Sequence, residues 1–305
     1  MICIPLMGVA QETPEVTPAM VYQSVIVLEG EVDLIRLEMG KPVVEPPIIQ
    51  VKNAAPREVY FAAVSLFRKA NRLGLEITGE QVEEPPVLQG ELKPGDVLTA
   101  VERSLTRLTA VKTALKIPEK TMMPPVEENV DPSRVFNAIM SANRALNQLL
   151  DKRFAPGDVF LEVSVAIAYA ARLLDEPGGI LSTPPPPPPF IRQKRPADVY
   201  RGLVASFESI RAIGELSGVA MLSFEVNEEQ LENAEPNDVY EMATLMVAEL
   251  AYLHSLRKDA KPPRKAYHPG RKLPAEVFQR IGILGSQMEI LRSRVEKNPH
   301  WLKNE

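Results

Sequence analysis

The sequence predicts an all-α protein of eight amphipathic helices, arranged as two tandem four-helix bundles whose helices run parallel and are joined by extended proline-rich linkers. Three observations predict it: a five-residue phrase that occurs eight times, an apolar spacing that follows each copy, and proline runs between the copies. A search for internal periods comes first because a missed repeat misassigns a whole fold.

The phrase is proline, two residues, valine, then a large apolar residue. It begins at Pro18, Pro56, Pro94, Pro132, Pro156, Pro196, Pro236 and Pro274, at intervals of 38, 38, 38, 24, 40, 40 and 38 residues. The residue after the valine is Tyr22, Tyr60, Leu98, Phe136, Phe160, Tyr200, Tyr240 and Phe278. An acid precedes the valine in six copies, at Glu58, Asp96, Asp158, Asp198, Asp238 and Glu276. Each copy reads as a helix start. Proline is tolerated at the first helical position, where its missing N–H would have no intrahelical partner. An acid in the first turn sits near the positive end of the helix dipole.

The elements follow in order. After Pro18 the apolar residues Val21, Val25, Leu28, Val32, Ile35 and Met39 alternate in steps of four and three. The copy at Pro94 keeps this register through Val97, Val101, Ser104, Leu108, Val111 and Leu115, and the copy at Pro236 through Val239, Ala243, Met246, Leu250 and Leu253. The last copy repeats it with Val277, Ile281, Leu284, Met288, Leu291 and Val295. A mean step of 3.5 residues is the seam of a bundle with knobs-into-holes packing. Small seam residues, Ala63 and Ala70 in the second copy, Ala142 in the fourth, Ala166 and Ala170 in the fifth and Ser206 in the sixth, let helices approach closely.

Between the copies lie Pro46-Pro47, Pro85-Pro86, Pro124-Pro125, the run Pro184 to Pro189, and Pro262-Pro263. Proline runs favour polyproline II at about 3.1 Å per residue, so about 15 residues outreach a helix of about 20 residues and 30 Å. Such a linker can double back along its helix, and successive helices are then parallel. The 24-residue interval leaves Asp151 to Ala155, too short for a return, and divides the eight helices into quartets over residues 11–154 and 155–305. The alternative is an α-solenoid in which linkers such as Glu225 to Glu235 hold a second, short helix.

Residues 1–10, Met1 to Ala10, are apolar and end on small residues at Gly8 and Ala10. This is the pattern of the back half of a secretory signal, although a basic n-region is missing. The expectation is a signal-peptide remnant over 1–10 and a periplasmic or secreted protein, with the only cysteine, Cys3, removed on cleavage. A frayed N-terminus on a cytoplasmic protein is the alternative. No apolar run approaches the roughly 20 residues of a membrane span, so an integral membrane protein is not expected.

The functional reading is mostly exclusion. A net charge of −5 speaks against a nucleic-acid binder working through a general basic surface. No phosphate loop, nucleophile elbow or H-E-x-x-H occurs. His254, His268 and His300 are scattered, so no metal site, cofactor or catalytic residue is assigned. The aromatic ring after each valine is weighed as a ligand cage at one end of each bundle against a ring that covers the bundle end and packs on a linker. A basic stretch, Arg257, Lys258, Lys261, Arg264, Lys265, Arg271 and Lys272, is weighed as a dock for an anionic partner against a solvated linker beside the acidic stretch Glu225 to Glu241. The resulting expectation is a non-catalytic exported helical-repeat scaffold or interaction module, whose partner is a protein or an envelope component. The alternative is a periplasmic small-ligand-binding or sensory bundle, which would need a polar constellation that breaks the repeat.

Overall fold

The computed structural model describes residues 15–43, 50–84, 91–151, 153–175, 185–225, 228–257 and 261–302. The signal-peptide reading of residues 1–10, Cys3, Lys258 and the proline pairs at 46–47 and 85–86 lie outside them.

Eight long helices start at the eight predicted prolines: α1 (Pro18–Glu38), α2 (Pro56–Thr78), α3 (Pro94–Leu115), α4 (Pro132–Leu149), α5 (Pro156–Leu174), α6 (Pro196–Leu216), α8 (Pro236–Ser255) and α9 (Pro274–Lys297). A five-residue helix, α7 (Glu228–Glu232), lies in the linker before α8. Every long helix start is capped, by one of two devices. Where an acid stands at the third helical position, its carboxylate accepts the N–H of the residue before the proline: Glu58 from Ala55 at 2.7 Å, Asp96 from Lys93 at 2.8 Å, Asp158 from Ala155 at 2.7 Å, and likewise Asp198, Asp238 and Glu276. Where that position is Met20 or Arg134, the residue before the proline caps instead. Thr17 accepts from Met20 N–H and Asp131 from Arg134 N–H. Each device satisfies a donor that the first helical turn leaves without a partner.

The first four long helices close into a quartet in the cyclic order α1-α3-α2-α4, and α5, α6, α8 and α9 repeat it as α5-α9-α6-α8. α1 and α2 therefore lie diagonally opposite each other, which excludes the solenoid, where each unit packs on its sequence neighbours. Pro18, Pro56, Pro94 and Pro132 meet at one end around Val21, Val59, Val97 and Val135. The prolines and valines that start α5, α6, α8 and α9 meet in the same way. Four helix starts at one end mean four parallel helices. Along the axis, Val25, Leu28, Val32, Val101, Leu146, Val163, Leu250 and Leu284 are fully buried, each worth about 1.5–3 kcal/mol of transfer from water.

Over their described residues, three linkers lie along the helices. After α3, the Thr121 N–H donates to Glu31, Gln23 bonds Pro124 O, and Glu127 pairs with Arg134 at the start of α4, so the chain descends along α1. After α2, Glu80 O bonds Arg107, Val82 exchanges bonds with Asn71, and Glu84 pairs with Arg68. Before α6, Pro188 packs at Gly282, its carbonyl accepts from Gln279, and Lys194 covers the Phe278 ring.

The two quartets lie side by side in opposite senses. Arg57, at the start of α2, reaches Glu249 late in α8, whereas Lys69, later in α2, reaches Glu241 near the start of α8. The second bundle thus begins where the first ends, and the short connection after α4 suffices; its Phe154 stacks on Tyr240 at 3.9 Å between ring centroids. Two three-residue strands seal one side of the contact. β1 (Gln50–Lys52) and β2 (Ser223–Glu225) pair antiparallel, with Val51 opposite Phe224. Neither strand nor this face of α8 is visible in the seam pattern.

Candidate functional site

Two polar clusters stand out, one between the bundles and one on the second bundle. The first lies between the bundles. Lys69 is fully buried; its ammonium pairs with the Glu241 carboxylate and donates to Asn143 O at 3.3 Å. Asn237 Nδ2 donates to Glu241 Oε1 at 3.0 Å, and Arg144 stands 3.7 Å from Asp238. Burial pushes the Lys69 ammonium down from its ordinary value against the opposing pull of Glu241, and pushes Asp238 and Tyr200 up. Arg144, Asp238 and Glu241 border a cavity of about 40 Å³ beside Ser65 and Tyr200, room for a few waters. On the same interface Arg57 bridges two buried carboxylates, 2.6 Å from Glu58 and 3.4 Å from Glu249, and covers the Tyr252 ring at 4.0 Å. Burial, then the adjoining Glu58, raises Glu249 well above the ordinary carboxylate range. The space is small, and the charged pairs beside it join the two bundles.

The second is a groove of about 1100 Å³ on the second bundle, between α5 and α9. Phe160, Ser164 and Ile167 of α5 face Arg280, Ile283 and Gln287 of α9. Pro185 and Pro187 form one rim, and the segment Arg264 to Tyr267 forms the other. Arg280 Nε donates to Ser164 Oγ at 3.1 Å, and its guanidinium lies 5.0 Å from the centre of the Phe160 ring, with the Lys272 ammonium at 5.1 Å. Burial lowers Arg280 from its ordinary value. Gln287 is 1% exposed; its Nε2 donates to Ile167 O at 3.4 Å, and its Oε1 has no partner among the described residues.

The equivalent face of the first bundle lies between α1 and α4. Counted from the helix-start prolines, Phe160, Ser164, Arg280 and Gln287 correspond to Tyr22, Ile26, Ala138 and Ala145. There the linker presses on α1 so closely that a Cβ placed on Gly30 would stand 2.5 Å from Thr121 Cγ2. The linker before α4 has sixteen residues, 116–131, and the one before α9 has eighteen, 256–273.

The aromatic rings do not form a cage at either bundle end. The proline-valine positions close those ends, and the rings splay outward into three surroundings. Phe136 and Tyr200 line the inter-bundle cavity. Tyr22, Phe160 and Phe278 lie under Arg134, under Lys272 and Arg280, and under Lys194. Tyr240 stacks on Phe154, and Tyr60 is buried edge-on to Phe61. The acidic stretch does not lie beside the basic one: Glu228 and Glu232 pair with Arg195 and Arg201, and Asp238 and Glu241 are drawn into the interface. Of the basic stretch, Arg257 donates to three backbone carbonyls at the end of α5, while Arg264, Lys265 and Lys272 border the groove. His254 meets Lys261 O, His268 stands 3.4 Å from Asp158, and no cluster of three potential metal ligands occurs among the described residues. No described helix is long and apolar enough to cross a membrane.

One position with a defined role was not read from the sequence. Five residues after the helix-start proline stand Gln23, Asn137 and Gln279, which donate to the linker carbonyls of Pro124, Val51 and Pro188. An amide recurring at one offset outside the seam was the available signal.

The fold and these sites define a class, a double bundle of parallel helices with a cationic groove between α5 and α9. Comparison with protein-family profiles, with curated proteins and with solved structures finds no match to this chain.

Proposed function

We propose that this is a non-catalytic exported scaffold that works by binding, an interaction module of the periplasm or the extracellular space with a protein or envelope component as partner. The observation that supports this is the packing of the two bundles, whose axes are filled by apolar side chains along eight equivalent helices. The described parts of the linkers are bonded to the helices they pass, which gives the bundle exterior a defined surface that suits recognition. Capture with crosslinking from the envelope fraction of the native host tests it. A stoichiometric partner recovered from that fraction supports the proposal. Recovery of the protein only in the cytosol contradicts export, and its recovery as a free monomer in every fraction contradicts the scaffold.

A second reading, a small-ligand-binding bundle, is favoured by one observation: the α5–α9 groove differs in polarity from the equivalent face of the first bundle.

A further inference from the structure

We infer that the α5–α9 groove binds a small organic anion, one acidic group on an aromatic or apolar body. This inference rests on the ligand-binding reading above and adds the chemistry of the ligand.

The charge around the groove is unbalanced. Five cations border it, Arg172, Arg264, Lys265, Lys272 and Arg280, against two carboxylates, Asp175 and Glu276. Both carboxylates are engaged, Asp175 with Arg172 at 3.1 Å and Glu276 with Lys272 at 2.8 Å. Arg264, Lys265 and Arg280 have no acidic partner among the described residues. Arg280 is the informative one. It is part-buried, its Nε is fixed by Ser164 and its plane lies over Phe160, which leaves the guanidinium's terminal nitrogens for a ligand. A guanidinium held in this way offers a fork to a carboxylate, sulfonate or phosphate.

The remaining surface selects the body of the ligand. Phe160, Ile167 and Ile283 form an apolar floor, and the exposed Tyr267 ring stands on the rim. An inorganic ion would leave this apolar floor unused.

Two fluorescent probes that differ in one acidic group test the inference on the full chain: 8-anilinonaphthalene-1-sulfonate and its uncharged counterpart N-phenyl-1-naphthylamine. The expected result is saturable one-to-one binding of the sulfonate, with the uncharged probe about tenfold weaker, the difference made by one charge-assisted contact. Arg280→Gln weakens the sulfonate about tenfold. The double change Arg264→Gln with Lys265→Gln, on an exposed segment where folding is not at stake, weakens it severalfold. Arg134→Gln in the first bundle leaves it unchanged. Equal affinity for the two probes, or sulfonate binding unaltered by the groove substitutions, overturns the anion inference while leaving a ligand groove in place. Binding of neither probe overturns the ligand reading as well.

Discussion

Gln279 Nε2 lies 2.8 Å from the carbonyl oxygen of Pro188, a residue 91 positions earlier in the chain. The bond fixes a returning linker to the outside of α9, three residues from where Pro188 fills the notch at Gly282. Gln23 holds Pro124 in the same way. A linker without regular hydrogen bonding is thereby placed by side chains of the helices it passes. Gln279→Leu is expected to lose about 1 kcal/mol, the worth of one side-chain hydrogen bond, read as a lower urea midpoint with an unchanged slope.

Glycines mark where chain meets chain, and the two kinds of approach predict opposite outcomes. A Cβ on Gly157 would stand 2.4 Å from the carbonyl oxygen of Gly270, which is backbone, so Gly157→Ala must displace the linker before α9. A loss of about 1–3 kcal/mol is expected in thermal unfolding. At Gly74 the obstacle is the Arg107 guanidinium, the end of a flexible side chain. Gly74→Ala is expected to cost less than Gly157→Ala in the same measurement.

Lys69 and Glu241 join the bundles through a fully buried ion pair. Lys69→Met leaves a buried carboxylate without its counter-charge and is expected to cost about 3–5 kcal/mol. The double change Lys69→Met with Glu241→Leu should recover most of that, because the desolvation of both charges disappears with them. Chemical denaturation of the two single variants and the double variant closes the cycle.

Stability should depend on pH with opposite signs on the two sides of its maximum. Asp198, held low by the Arg195 N–H and then Lys194, and Glu276, held low by Lys272 and the Leu273 N–H, stabilise the fold above their unfolded values. That contribution is lost as pH falls below about 4. Glu249, Glu162 and Asp238 are raised by burial, so the folded state takes up their protons first. The stability this gives is fully present below their unfolded values and is lost as pH rises through the folded ones. The unfolding free energy is expected to reach its maximum just above the acid limb and to decline on the alkaline side. Glu249→Gln, which keeps an acceptor for Arg57 and removes the charge, should flatten that alkaline decline, read as urea midpoints across a pH series.

Much of this architecture was legible because one sequence device serves each helix. Proline at the first position and valine three later mark every start, and the alternate four-and-three spacing from Val21 to Ile35 and from Val277 to Val295 marks the buried stripe. What escaped lies off that stripe. α8 is buried on a second face, through Met242, Leu245 and Val247. Its buried Asn237, Glu241 and Glu249 read in sequence as solvated polar positions, because nothing local shows that Lys69 or Arg57 will arrive from α2. The strands β1 and β2 are three residues each and are made by pairing residues 171 to 175 positions apart, beyond any local pattern. The groove was half legible: the basic stretch was visible, but its opposite wall comes from Phe160 and Ser164, which look like ordinary repeat positions until α5 and α9 are side by side.

The direction of successive helices is the claim on which the rest depends, and spin-label distances measure it directly. With Cys3→Ser as background, one label is placed at Leu75 near the end of α2, and a second either at Ala114 near the end of α3 or at Thr99 near its start, all exposed positions. The last two lie fifteen residues apart, an axial offset of about 22 Å at 1.5 Å per residue. Parallel helices predict that the pair Leu75 and Ala114 gives the shorter distance and the pair Leu75 and Thr99 the longer. The reverse order would mean that α2 and α3 run in opposite senses, and would contradict the returning linkers and both parallel bundles.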